Sequence, residues 1–123
     1  GPPGRLLANR FVQLCRHRIH HVQHHSQGLY PGGWAARTLH WMLPACYSAA
    51  TLRGLVPPGI PRQQLRIFVD GLLTVRHEAH PGDFTVDIPL PASRQPALLR
   101  VEASAVSGPD RFAWRLLGFD GRP

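Results

Sequence analysis

Alternation with a period of two runs through most of this chain, and it constrains the fold more than any other feature. Phe84, Val86, Ile88 and Leu90 alternate with Asp83, Thr85 and Asp87. Successive side chains on a strand point to opposite faces, so this segment buries one face and wets the other. The pattern recurs along the chain. Leu39, Trp41 and Leu43 fall on one side of a strand, and Ala50, Leu52 and Val56 on one side of another, with Arg53 opposite. Leu65, Ile67 and Val69 alternate with Arg66, Phe68 and Asp70, and Leu99, Val101 and Ala103 with Arg100 and Glu102. Phe112, Trp114 and Leu116 alternate with Arg111 and Arg115. Asp70-Gly71 is a two-residue hairpin signal, because glycine supplies the positive φ such turns need. Its return strand runs from Leu72 to His77, and Pro81-Gly82-Asp83 makes the next turn. The sum is seven strands, each with one apolar face, and an eighth, irregular edge strand if Gly28 to Trp34 adds one. One-sided strands at this density predict two antiparallel sheets packed face to face, a β-sandwich.

Composition agrees. The 12 Gly and 13 Pro among 123 residues are too many for a helical bundle, and 43% hydrophobic residues are too many for a disordered tail. The length fits one domain. The single Met is Met42, and Gly1-Pro2 resembles a protease-cleavage scar, so the chain is expected to be a piece of a longer protein.

The first 27 residues differ in pattern and in charge. Arg5, Arg10, Arg16 and Arg18 stand there without an acid, giving +4, while ten Arg and seven acids downstream give +3, for a total of +7. Ala8, Val12, Cys15, Ile19 and Val22 recur at helical spacing, with Leu7, Phe11 and Leu14 beside them. The expectation is an N-terminal amphipathic α-helix over residues 5–25 with a His-rich linker (residues 1–27), then the sandwich (28–123). An isolated helix of this length is marginal in water, so the stripe needs a partner. Four partners are open: the rest of this chain, an upstream domain, a second copy, or an anionic membrane surface, the weakest of the four. Cys15 and Cys46 form no disulfide framework and fit a reducing compartment. No apolar run reaches the ~18 residues that cross a bilayer, and no signal peptide is expected. The expected location is therefore the cytoplasm, peripheral to a membrane at most.

Catalytic patterns are absent. Asp83 and Asp87 would stand ~13 Å apart at ~3.3 Å per residue, too far for the carboxylate pair of a glycosidase. There is no Gly-x-Ser-x-Gly elbow, and without lysine no phosphate loop ending in Gly-Lys. No enzymatic activity and no cofactor are expected. His17 and His21, like His20 and His24, are i,i+4 pairs that put two imidazoles on one helix face, a spacing that suits Zn²⁺, Ni²⁺ or Cu²⁺. No acid lies in that segment to complete a site, so metal binding there is expected to be adventitious at most.

The second segment resembles a family of small, jelly-roll-like β-sandwich domains. They occur beside bacterial glycosyltransferases and methyltransferases of surface-polysaccharide assembly. The likeness is carried by Gly28-Leu29-Tyr30 through Trp34, by Leu52-Arg53-Gly54-Leu55-Val56-Pro57 and by Ile67-Phe68-Val69-Asp70-Gly71. It continues through Gly82 to Pro91, Leu99 to Ser104, and Asp110-Arg111-Phe112 leading into Trp114 to Phe119. Ser107-Gly108-Pro109 is shorter than the matching loop of the family. The resemblance implies a non-catalytic accessory domain that grips a glycan or docks on the catalytic domain of the same parent chain. The alternative is a structural module that dimerises or docks through the 5–25 stripe, with no ligand of its own.

Sugar rings present C–H faces that stack on aromatic planes. Trp41 and Trp114 fall in phase with apolar neighbours and are expected in the core. Tyr30 and Trp34 lie in a Gly/Pro-rich stretch and are the expected sugar platform, with His40, Arg53 and Arg76 as polar neighbours. Nucleic acid is not expected as a partner, because Arg and acids are interspersed in the sandwich and no aromatic-basic stripe is present.

Overall fold

The structure is a computed structural model that describes residues 26–43, 47–91 and 96–122. The expected helix over 5–25, its histidines and both cysteines lie outside the described residues. The described chain contains eight strands: β1 Ser26–Leu29, β2 Trp34–Leu43, β3 Ala49–Val56, β4 Gln63–Val69, β5 Leu72–Ala79, β6 Gly82–Pro89, β7 Ala97–Ala103 and β8 Trp114–Arg122. A short 3₁₀ turn, Pro31–Gly33, joins β1 to β2. No α-helix occurs among the described residues.

All pairings are antiparallel, in the order β5-β4-β7-β2-β8-β3-β6, with β1 also on β2. Strand β2 turns the corner between two layers. Its residues Thr38–Leu43 pair with β7, whereas Trp34 and Ala35 pair with Arg115 and Trp114 of β8. The sheet therefore folds over on itself, and the inward rows of both layers form one core. Across that core Trp41 of β2 meets Phe119 of β8 edge-on, with ring centroids 5.3 Å apart. Trp41 and Trp114 are buried, as their phase predicts. Their indole N–H groups find no acceptor among the described residues.

The alternation holds residue for residue in β6, where Phe84, Val86 and Ile88 are buried between exposed Asp83, Thr85 and Asp87. It fails in two places. Strand β5 has no buried apolar face: Leu72 is 74% exposed and only Ala79 is fully covered. As the last strand of the order, β5 has β4 as its one sheet neighbour, and its N-terminal half carries apolar residues on both sides. The final strand begins at Trp114 rather than Phe112. Phe112 sits in a turn, bridged to Ser107, and Arg111 just before it takes the left-handed φ of 57°.

One buried polar residue organises this loop. Gln63, fully buried at the start of β4, donates to the carbonyls of Ala105 (2.9 Å) and Ala113 (2.7 Å). Its Oε1 accepts from the Ala105 N–H at 2.9 Å and the Ser104 hydroxyl at 3.1 Å. The amide is fully used, and it ties both ends of the β7–β8 connection to β4.

Candidate functional site

The turn before β2 places two aromatics. The Tyr30 N–H donates to the Trp34 carbonyl at 2.8 Å, and the Gly33 N–H donates to the Tyr30 carbonyl at 3.0 Å. Gly33 has φ +89°, and a Cβ there would strike the Leu116 carbonyl oxygen, so only glycine lets the turn lie against β8. From β8, Arg115 Nε donates to the Gly32 carbonyl at 2.7 Å and clamps the turn. The same guanidinium carbon lies 5.5 Å from the centroid of Trp34, its partner across the β2–β8 ladder.

Phe112 completes the cluster. Its ring stacks on Trp34 at 5.5 Å and 11° and meets Tyr30 at 5.5 Å and 45°. The Phe112 backbone exchanges two hydrogen bonds with Ser107, and the Ala113 N–H donates to the Ala35 carbonyl at 2.8 Å. Tyr30, Phe112, Trp34 and Arg115 thus form one continuous stack. Trp34 and Phe112 are half-buried in it, while Tyr30 remains 47% exposed.

The stack stands at the end of a polar face, the outer side of β8-β3-β6. Strand register sets its rows: Trp34, Arg115, Leu55 and Asp83; then Gly118, Arg53 and Thr85; then Asp120, Thr51 and Asp87. Arg53 lies flat because Gly118 has no side chain; a Cβ there would come within 2.8 Å of Arg53 Nη2. Thr51 Oγ1 donates to Asp87 Oδ1 at 2.8 Å and accepts from Arg122 Nη1 at 2.7 Å. Arg53, Arg115 and Arg122 balance Asp83, Asp87 and Asp120. Chemically, the face offers an aromatic surface for C–H stacking beside hydroxyl, guanidinium and carboxylate groups that can bond sugar hydroxyls.

Of the residues expected at a sugar site, Tyr30, Trp34 and Arg53 belong to this assembly. His40 and Arg76 lie on the outer side of the other layer. His40 of β2 is opposite Arg100 of β7 and Gln27 of β1. Arg76 of β5 is opposite Arg66 and lines an open depression of about 450 Å³ with Gln64, Arg66, His77 and Glu78. Among the described residues no three potential metal ligands converge. His17, His20, His21 and His24 lie outside them. Phe112 and Arg115 are the two members of the stack that alternation misassigns or ignores. Pro109-Asp110 just before Phe112 is a turn signal, and it could have moved the start of the last strand. No local signal marks Arg115, because its partnership with Trp34 depends on the register of strands 80 residues apart.

No protein-family model matches the chain, and no curated relative does. Solved structures do. An acetyl xylan esterase, Est2A, from Butyrivibrio proteoclasticus is similar over 85% of this chain at 11% identity, with a TM-score of 0.62. A family two carbohydrate esterase from Clostridium thermocellum, solved with cellohexaose, is similar over 79% at 15% identity, with a TM-score of 0.56. This chain spans only 31% and 29% of the length of those two enzymes. A family 35 carbohydrate-binding module from Paenibacillus barcinonensis is similar over 79% of this chain and 86% of its own length, at 12% identity and a TM-score of 0.51. At these identities the likeness is one of fold: a β-sandwich of the kind found in carbohydrate-binding modules.

Proposed function

We propose that this chain is a non-catalytic accessory domain that holds carbohydrate on the outer face of β8-β3-β6, with Tyr30 and Trp34 as the platform and Arg53 as a polar contact. The observation that carries the reading is the Tyr30–Phe112–Trp34–Arg115 stack, which brings an exposed aromatic ring to the rim of a charge-balanced polar sheet face. A stand-alone carbohydrate-binding module among the similar structures supports it. So does the fact that the two similar esterases act on carbohydrate and are matched over less than a third of their length. The parent protein is then a carbohydrate-active one. The sequence resemblance points to a glycosyltransferase-type parent of surface-polysaccharide assembly. The similar esterases favour a second reading, in which the catalytic domain of the parent is an esterase.

The experiment is affinity electrophoresis of the chain through gels containing soluble xylan, mixed-linkage glucan or a neutral dextran control. Retardation by a glycan that is lost in Tyr30→Ala and in Arg53→Gln, with both variants folded, is the expected result. Equal mobility in every gel, with a dimer seen by light scattering, would instead support the structural-module alternative.

A further inference from the structure

We propose that the apolar stripe of residues 7–22 seats on a patch of this same chain formed by Met42, Leu98 and Leu73. Five large apolar side chains are exposed among the described residues, and three of them are in this patch; Tyr30 is on the other layer, and Leu72, the partner of inward-facing Val69, points to the other side of the sheet. Met42 (51% exposed) and Leu98 (40% exposed) are direct partners across β2 and β7, both on the outer side of the layer. The β4–β5 hairpin is tied beside them: the Asp70 N–H donates to the Leu98 carbonyl at 2.8 Å, and the Leu98 N–H donates to Asp70 Oδ1 at 2.9 Å. That hairpin carries Leu73, which is opposite the outward-facing Phe68. An apolar cluster at one end of a sheet face marks a contact surface.

The course of the chain names the occupant. Strand β1 is antiparallel to β2, with Gln27 opposite His40 and Ser26 opposite Trp41. The same register, extended one residue beyond Ser26, would set residue 25 opposite Met42. The four residues from Val22 to Ser26 can span roughly 13 Å at ~3.3 Å each. Crossing from β1 over β2 to β7 takes about 10 Å at ~4.8 Å per strand. Ala8, Val12, Cys15, Ile19 and Val22, widened by Leu7, Phe11 and Leu14, recur at the spacing of an apolar helical stripe, which would need a surface to cover it. A second copy could offer the same stripe, but only at the concentration of a bimolecular encounter. The tethered stripe is always present.

Met42 is the only methionine of the chain, so its oxidation by hydrogen peroxide, followed by mass spectrometry on the full chain, reports whether the patch is covered. The test compares the full chain with the double variant Val12→Glu, Ile19→Glu, and with Arg18→Glu, which lies off the stripe. All three substitutions fall outside the described residues. The expected result is that Met42 in the unmodified chain and in Arg18→Glu oxidises about tenfold more slowly than in the double variant, the effect of a docked state favoured tenfold. That protection should be unchanged by dilution. Equal rates in all three chains would overturn the proposal. So would protection that fades on dilution, which would assign the patch to a second copy.

Discussion

On the outer face of β8-β3-β6, three arginines meet three aspartates, and the aromatic stack at its end leaves Tyr30 open. The outer face of β5-β4-β7-β2 uses similar residues to the opposite effect. There the one aromatic ring, Phe68, is capped by Arg100 at 4.1 Å and approached by Arg66 at 5.8 Å. Glu102 holds both guanidiniums, at 2.8 Å from Arg66 and 3.4 Å from Arg100. Among the described residues that side has no open Phe, Tyr or Trp ring beside the capped one, whereas Tyr30 stays open in the stack in which Arg115 covers Trp34. The large apolar residues that stay exposed on that side, Met42, Leu98 and Leu73, lie near the Asp70-Gly71 hairpin. An arginine over an aromatic ring therefore does not by itself mark a sugar site. What separates the two faces is whether the end of the stack is left uncovered.

The largest expected effect comes from separating the faces at Gln63. Its amide holds the loop that carries Phe112, and it stands at the opposite end of β4 from the Asp70 hairpin beside Met42. Gln63→Leu leaves the carbonyls of Ala105 and Ala113 and the Ala105 N–H buried without partners, a loss of about 3 kcal/mol in urea unfolding. In the same variant glycan retardation should weaken, while the rate of Met42 oxidation should stay as it was. Loss of protection at Met42 as well would mean that the faces are not independent.

A second test uses pH. Tyr47 packs edge-on against Phe119, with ring centroids 6.0 Å apart, and lies over Gly121 near the far end of β8. Burial first, and then the Asp120 carboxylate, push its phenol from 10.0 up to about 12. The unfolded chain loses this proton near pH 10 while the folded chain keeps it to about pH 12, so the folded state is favoured in full below pH 10. That advantage disappears as pH rises from 10 to 12, by on the order of 2 kcal/mol. Tyr47→Phe should flatten the dependence of stability on pH across that window, as read by urea midpoints. The smallest effect is expected at Arg66→Gln. Its exposed ion pair with Glu102 contributes less than about 1 kcal/mol, and glycan binding on the opposite face should not change.

Much of this architecture was legible from alternation and turn chemistry, because both are local. Strand β6, the Asp70-Gly71 hairpin and the two core tryptophans follow from residues within a few positions of one another. Strand β5 was misread because an edge strand can carry Leu72 and Leu73 without burying them, and sequence spacing does not say which strand is at the edge. Phe112 was misread because it sits two residues before Trp114, in phase with the strand but on the far side of a turn. The candidate site was half legible. Glycine and proline around Tyr30 and Trp34 announced an irregular segment with aromatics on it. That Arg53 joins them while His40 and Arg76 do not is a matter of which strand neighbours which, and that order is set by long-range pairing.

The central claim is that glycan binds at the Tyr30–Trp34 end of the β8-β3-β6 face, and tryptophan fluorescence tests it most directly. Trp41 and Trp114 are 2% and 0% exposed, so a ligand that touches the surface can perturb only Trp34. Titration with cellohexaose and with xylan oligosaccharides should give a saturable change in emission for at least one of them, absent in Trp34→Phe and weakened in Tyr30→Ala. Emission that stays constant through millimolar glycan, or a change that survives unaltered in Trp34→Phe, would contradict the account.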